Sequence, residues 1–145
     1  MQAVMIVERD EDLRETLEMV LEEAGYPTLS TCDLALAEAA LRVTKHPLVV
    51  LVEHGGPSSL ATPLLDHTRA LPPHAYVVLS TRPQAAMPVW NSYTHRGVPV
   101  VRAPFTLDEL LTQIDMAAAA IQHRADEAQQ VYAAPAPREL AAAVG

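Results

Sequence analysis

The chain has 145 residues, room for one domain with its own core and too few for two. Hydrophobic residues make up 50% of it, and 10 Lys and Arg face 18 Asp and Glu, a formal charge of −8. An acidic chain without a basic cluster is repelled by phosphate backbones, which argues against nucleic acid as a direct partner. The single cysteine, Cys32, cannot close an internal disulfide, and without a CxxC pair there is no thiol metal site.

The opening "MQAVMIVERDED" lacks the basic start and long apolar stretch of a signal peptide, and no apolar run approaches the ~20 residues that cross a bilayer. The expectation is a cytoplasmic protein with no membrane partner. "AVMIV" (3–7) reads as a short strand. In the stretch after it, Leu13, Leu17, Val20, Leu21 and Ala24 fall at helical spacing, with Asp10 as cap and Gly25 as stop. "PTLST" (27–31) is a weaker strand, and 33–45 reads as a helix capped by Asp33 and closed before Pro47. "LVVLVE" (48–53) shows no polar alternation, which suits a central strand buried on both faces. Residues 58–71 form a poorer helix, in which Pro63 must lie in the first turn or kink it. "AYVVLS" (75–80) is another central strand, 84–97 a weak helix with Pro88 near its start, and "VPVVR" (98–102) the last strand. From Thr106 a long helix opens with a Thr106–Glu109 capping box.

Five βα repeats imply right-handed crossovers and a doubly wound parallel sheet covered on both faces, with functional groups gathered at the carboxyl ends of the strands. Glu53 stands at such an end, before His54, Gly55 and Gly56. From about residue 125 the sequence turns to alanine and proline, so 1–124 is read as the domain and 125–145 as an extension or linker.

Taken together, the strand ends resemble the receiver domain of two-component response regulators. The likeness runs over roughly residues 3 to 122 and rests on "MIVERDEDLRETLEMVLEEAGY", on Pro57 four residues after Glu53, on "VVLS" and on "APFTLDELL". It implies a (βα)5, flavodoxin-like three-layer fold. In that family an aspartate ending the third strand accepts a phosphoryl group. Two acidic residues after the first strand hold Mg²⁺, a hydroxyl after the fourth touches the phosphoryl group, and a lysine after the fifth pairs with it. Position by position, the phosphoacceptor is here Glu53, the acidic pair is Glu8 and Arg9, the hydroxyl is Ser80, and the lysine is Ala103, followed by Pro104. The Ala103–Pro104 bond is expected to be cis.

Mg²⁺ demands an octahedron of oxygens, and a guanidinium cannot ligate a cation. Arg9 is therefore expected in the metal's place, paired with Glu53 or Glu8, holding both ionised, and Mg²⁺ binding is expected to be lost. Constitutive mimicry of a phosphorylated aspartate by Glu53 lacks a lysine partner at Ala103. With no GxSxG elbow, no HxxxH pair and no phosphate-binding glycine loop, the chain is not expected to be an enzyme. The six histidines are expected on the surface or in loops, with His54 the one beside the pocket.

The resemblance further implies an interaction face. Trp90 and Tyr93 would lie there as anchors or pack onto the sheet, and Val100 takes the position of the family's aromatic switch residue. The resulting expectation is a degenerate receiver that signals by protein contact with a histidine kinase, an output protein or a second copy in a homodimer. A working phosphoacceptor with altered chemistry and a flavodoxin-like small-molecule binder are the alternatives.

Overall fold

The computed structural model describes residues 2–55, 59–68, 74–81 and 92–132. Its elements are β1 (Val4–Val7), α1 (Glu11–Glu23), β2 (Thr28–Thr31), α2 (Leu34–Val43), β3 (Val49–His54), α3 (Ala61–Thr68), β4 (Ala75–Ser80), α4 (described over 92–95), β5 (Val100–Arg102) and α5 (Leu107–Tyr132). All strand pairs are parallel, in the order β2-β1-β3-β4-β5. The order reverses between β1 and β3, where a doubly wound sheet opens its crevice.

The missing polar alternation in β1, β3 and β4 has a direct structural cause: both faces of the sheet are covered. Val4, Ile6, Val49, Leu51, Val77 and Leu79 pack on one face against Leu17 and Leu21 of α1 and Leu110, Ile114 and Ile121 of α5. On the other face, Met5, Val7, Val50, Val52 and Val78 meet Ala37 and Leu41 of α2, Leu64 and Leu65 of α3, and Tyr93. Side chains alternate between faces along a strand, so one uninterrupted apolar run feeds two cores.

Local signals set the helix ends. Asp10 accepts the Leu13 N–H at 3.1 Å and Asp33 accepts the Leu36 N–H at 3.0 Å. The Thr106 hydroxyl accepts the Glu109 N–H at 3.1 Å, one half of a capping box. Gly25, at φ 96°, closes α1 while the Tyr26 N–H reaches back to the Leu21 carbonyl at 2.9 Å. Pro63 is the third residue of α3, inside its first turn, where a missing N–H costs little.

Strand β3 runs one residue further than its sequence pattern indicates, to His54. Helix α5 continues without a break past residue 125 to Tyr132, so the compositional change at 125 falls inside a helix. Among the described residues, no helix is long and apolar enough to cross a membrane. The Ala103–Pro104 peptide bond is cis.

Candidate functional site

At the carboxyl end of the sheet, β1, β3, β4 and β5 deliver Glu8, Glu53, Ser80 and Ala103 to one rim. Register fixes this: Glu53 lies opposite Leu79, His54 opposite Ser80, and Ser80 opposite Arg102, with Ala103 next along the chain. The Ala103 N–H donates to the Ser80 carbonyl at 2.8 Å, which ties the fifth position to the fourth.

Glu53 is buried, 5% exposed. Its Oε1 accepts the Leu60 N–H at 3.2 Å, and its own carbonyl accepts the Ser59 hydroxyl at 3.1 Å. That hydroxyl in turn accepts the Ala61 N–H at 3.1 Å, at the start of α3. Ser59 and Leu60, ahead of α3, thus bond back to the residue near the end of β3. Arg9 supplies the counter-charge, its Nε 3.7 Å from Glu53 Oε1 and its side chain half exposed. This is an ion pair rather than a hydrogen bond.

Gly55 completes the enclosure. A Cβ placed there would stand 2.8 Å from Glu53 Oε2 and 3.2 Å from Thr81 Oγ1. Only a residue without a side chain lets the carboxylate lie so close to the backbone.

Glu8 is buried as well. Its Oε1 accepts the Asp10 N–H at 3.1 Å, while its carbonyl accepts from Arg14 Nη1 at 3.1 Å. Its Oε2 has no hydrogen-bond partner among the described residues. Burial, reinforced by the negative charges of Glu53 and Asp10, pushes the Glu8 carboxyl up to about 7 despite its bond to the Asp10 N–H. Of the two carboxylates expected to pair with Arg9, Glu53 does so.

His54 is buried and not a loop residue, and its Nδ1 lies 3.2 Å from the Tyr93 hydroxyl. Burial lowers its pKa, while neighbouring Glu53 pulls it back up. His74 is buried too, its Nδ1 accepting the Leu48 N–H at 3.0 Å and its Nε2 3.1 Å from the Leu41 carbonyl. Of the histidines expected on the surface or in loops, His54 is neither, ending β3, while His74 precedes β4 outside any element but is buried; each ring has polar partners inside.

Of the two places expected for Tyr93, an interface or packing onto the sheet, the second is the one it takes. It is 2% exposed, its ring edge-on to His54 with centroids 5.7 Å apart, and its hydroxyl lies 2.7 Å from Thr62 Oγ1. A tyrosine with both ring and hydroxyl satisfied inside has nothing left to offer a partner. Val100 is half buried and packs on the same cluster as Tyr93. Trp90 lies outside the described residues. A cavity of about 670 Å³ runs beside β5, lined by Val100, Ala103, Pro104, Asp108 and Glu109, and does not reach Glu53.

Sequence reasoning missed Thr62, Ser59 and Leu60 as neighbours of the site. A hydroxyl inside a helix and a backbone N–H carry no pattern that marks them.

No family model matches this sequence, and no curated protein does. Solved structures do match it in fold. A CheY-like response regulator receiver domain protein from Methanospirillum hungatei JF-1 superposes with a TM-score of 0.73 at 16% identity, over 86% of this chain and 98% of its own. A second CheY-like receiver domain, from Methylobacillus flagellatus, gives 0.66 at 18% identity, over 80% and 98%. The structure described as adenylate cyclase from Rhodopirellula baltica gives 0.80 at 15% identity, over 92% and 98%. At such identities the likeness is one of fold, and the fold of this chain is receiver-like.

Proposed function

We propose that this chain is a cytoplasmic receiver-like signalling domain that acts through protein contacts rather than by phosphoryl transfer or catalytic turnover. Its partner is a histidine kinase, an output protein or a second copy of itself. The observation that carries this reading is the state of Glu53: buried, bonded to the Leu60 N–H and faced by Arg9. An acceptor carboxylate must meet a phosphodonor in line, and a buried carboxylate engaged by a backbone N–H and faced by a cation supports the reading that it does not.

The residues present do not suit Mg²⁺. The metal needs oxygen ligands around it, usually one or two carboxylates with water and phosphate. Here one position of the acidic pair is a guanidinium, which cannot ligate a cation and stands 3.7 Å from the carboxylate at the acceptor position. Ala103 offers no ammonium to balance an incoming phosphoryl group. A working site of altered chemistry draws its support from the Oε2 of Glu8, a buried oxygen with no hydrogen-bond partner among the described residues.

An amide NMR titration with Mg²⁺ and beryllofluoride separates the two. The contact reading expects a silent spectrum at Glu8, Glu53 and Ser80. Saturable shifts at those amides would establish a phosphate-reading site and overturn it.

A further inference from the structure

The other end of the sheet holds a cavity as well. Far from Glu53, beside the first residues of β4 and β5, a cavity of about 620 Å³ opens between the strands, the turn at 94–97 and helix α5. Strand β4 has six residues, so this cavity lies ~20 Å from the carboxyl rim. Its volume falls within the ~300–1,000 Å³ of ordinary small-molecule sites.

The sequence explains why space remains here. Where α5 passes over the strand starts, positions 117 and 120 are alanines, too short to fill the gap that leucines would close. Opposite them Gly97 contributes no side chain, and a Cβ there would meet nothing within 4 Å. Strand β5 pairs only with β4 among the described residues. Tyr76, Val98 and Met116 supply apolar surface, and Met116 is 60% exposed.

The charge of the cavity opposes that of the molecule. The chain carries −8, yet none of the described residues lining this cavity is acidic, and two of them, Arg96 and Arg124, are cations. Arg96 is ion-paired with Asp66 of α3, which fixes it at the rim. Arg124 donates its Nε–H to the Ala120 carbonyl at 3.3 Å, one turn back, which draws the guanidinium along the alanine wall. Its terminal nitrogens have the fork geometry that grips carboxylates and sulfonates. By contrast, the cavity beside β5 mixes Arg102 with Asp108 and Glu109 and favours neither sign.

We infer that the cleft between α5 and the starts of β4 and β5 binds a small organic anion with an apolar body, its acidic group on Arg124 and its body against Ala117, Ala120 and Met116. This site is independent of the Glu53 rim, and its failure would leave the contact reading untouched.

The test uses 8-anilinonaphthalene-1-sulfonate as the probe, followed by fluorescence and by amide shifts on the full chain. The expected result is saturable one-to-one binding with shifts at Gly97, Val98, Ala117 and Ala120 and none at Glu53 or Ser80. Arg124→Glu should weaken binding about tenfold, the scale of one charge-assisted hydrogen bond. Ala120→Leu, at an exposed helical position that tolerates leucine, should abolish it while the melting temperature holds. Unsaturable binding, shifts centred on the exposed Met19, Leu36 and Val43, or an Ala120→Leu variant that binds as before would each overturn the assignment.

Discussion

The Arg9 guanidinium stands 3.7 Å from the Glu53 carboxylate, one partner half in solvent and the other buried. That asymmetry sets the energy of the pair. Solvent screens the arginine, so removing it as Arg9→Ala should cost only about 1 kcal/mol in chemical denaturation. Its chemical effect should be larger. Arg9→Asp exchanges the cation for a carboxylate beside Glu8 and Glu53, and three acidic groups on one rim should acquire Mg²⁺-dependent amide shifts that the parent chain lacks. If parent and variant respond to Mg²⁺ alike, Arg9 is not what keeps the metal out.

Glu8 makes stability depend on pH in an uncommon direction. Its carboxyl is raised to about 7 in the folded chain from an ordinary 4.5. Between those values the unfolded chain has already lost the proton that the folded chain keeps, so stability falls as pH rises from 4.5 to 7 and is flat above. The full excursion is bounded at about 3 kcal/mol from the size of the shift. Glu8→Gln should remove this slope and be the more stable protein at pH 8. Parallel denaturation curves for the two chains from pH 4.5 to 8 would show that Glu8 titrates as an ordinary surface carboxyl.

Gly55 is required by contact with a side chain, and that makes its cost removable. Gly55→Ala puts a methyl group 2.8 Å from Glu53 Oε2, so the carboxylate must swing away from Leu60. A loss of about 1–2 kcal/mol is expected, with faster amide exchange at Leu60. In a Glu53→Ala background the shorter of the two contacts disappears and only the 3.2 Å approach to Thr81 Oγ1 remains, so the same substitution should cost clearly less. Equal losses in both backgrounds would place the strain in the backbone instead.

The order of elements was legible because two strong periodicities alternate along the chain, and the uninterrupted run at 48–53 announced a strand covered on both faces. Caps at Asp10, Asp33 and Thr106 could be read because each bond spans three residues. The rim was legible in outline, since strand ends converge in any such sheet and Glu53, Glu8 and Ser80 close three of them. Closure of the pocket was not. It depends on a Leu60 N–H and on the distance from Gly55 to a carboxylate, neither of which has a residue signature. The burial of His54 and His74 escaped for a related reason, and for Tyr93 it stood only as one of two alternatives: a polar side chain goes inside when long-range partners satisfy it. Those partners, Thr62 for Tyr93 and the Leu41 carbonyl for His74, lie about 30 residues away in the chain.

The last prediction concerns the hydroxyl between those elements. Tyr93 Oη lies within bonding distance of both Thr62 Oγ1 on α3 and His54 Nδ1 at the end of β3. If neutral His54 accepts from the tyrosine, Thr62 donates to it; if His54 carries the proton, both bonds reverse direction and both survive. The chain therefore tolerates protonation of His54 in its bonding, but burial still opposes the charge and lowers the pKa. Folded His54 then binds its proton less readily than unfolded His54, so this residue costs stability as pH falls through 6.5. Tyr93→Phe keeps the ring and removes the link, and about 1–2 kcal/mol should be lost because the Thr62 hydroxyl and the His54 ring lose a shared partner. Protonation of His54 would then leave its Nδ1–H without an acceptor, so the imidazole resonances of the variant should titrate at lower pH than those of the parent. An unchanged His54 titration in Tyr93→Phe would show that the 3.2 Å approach is packing and not a hydrogen bond.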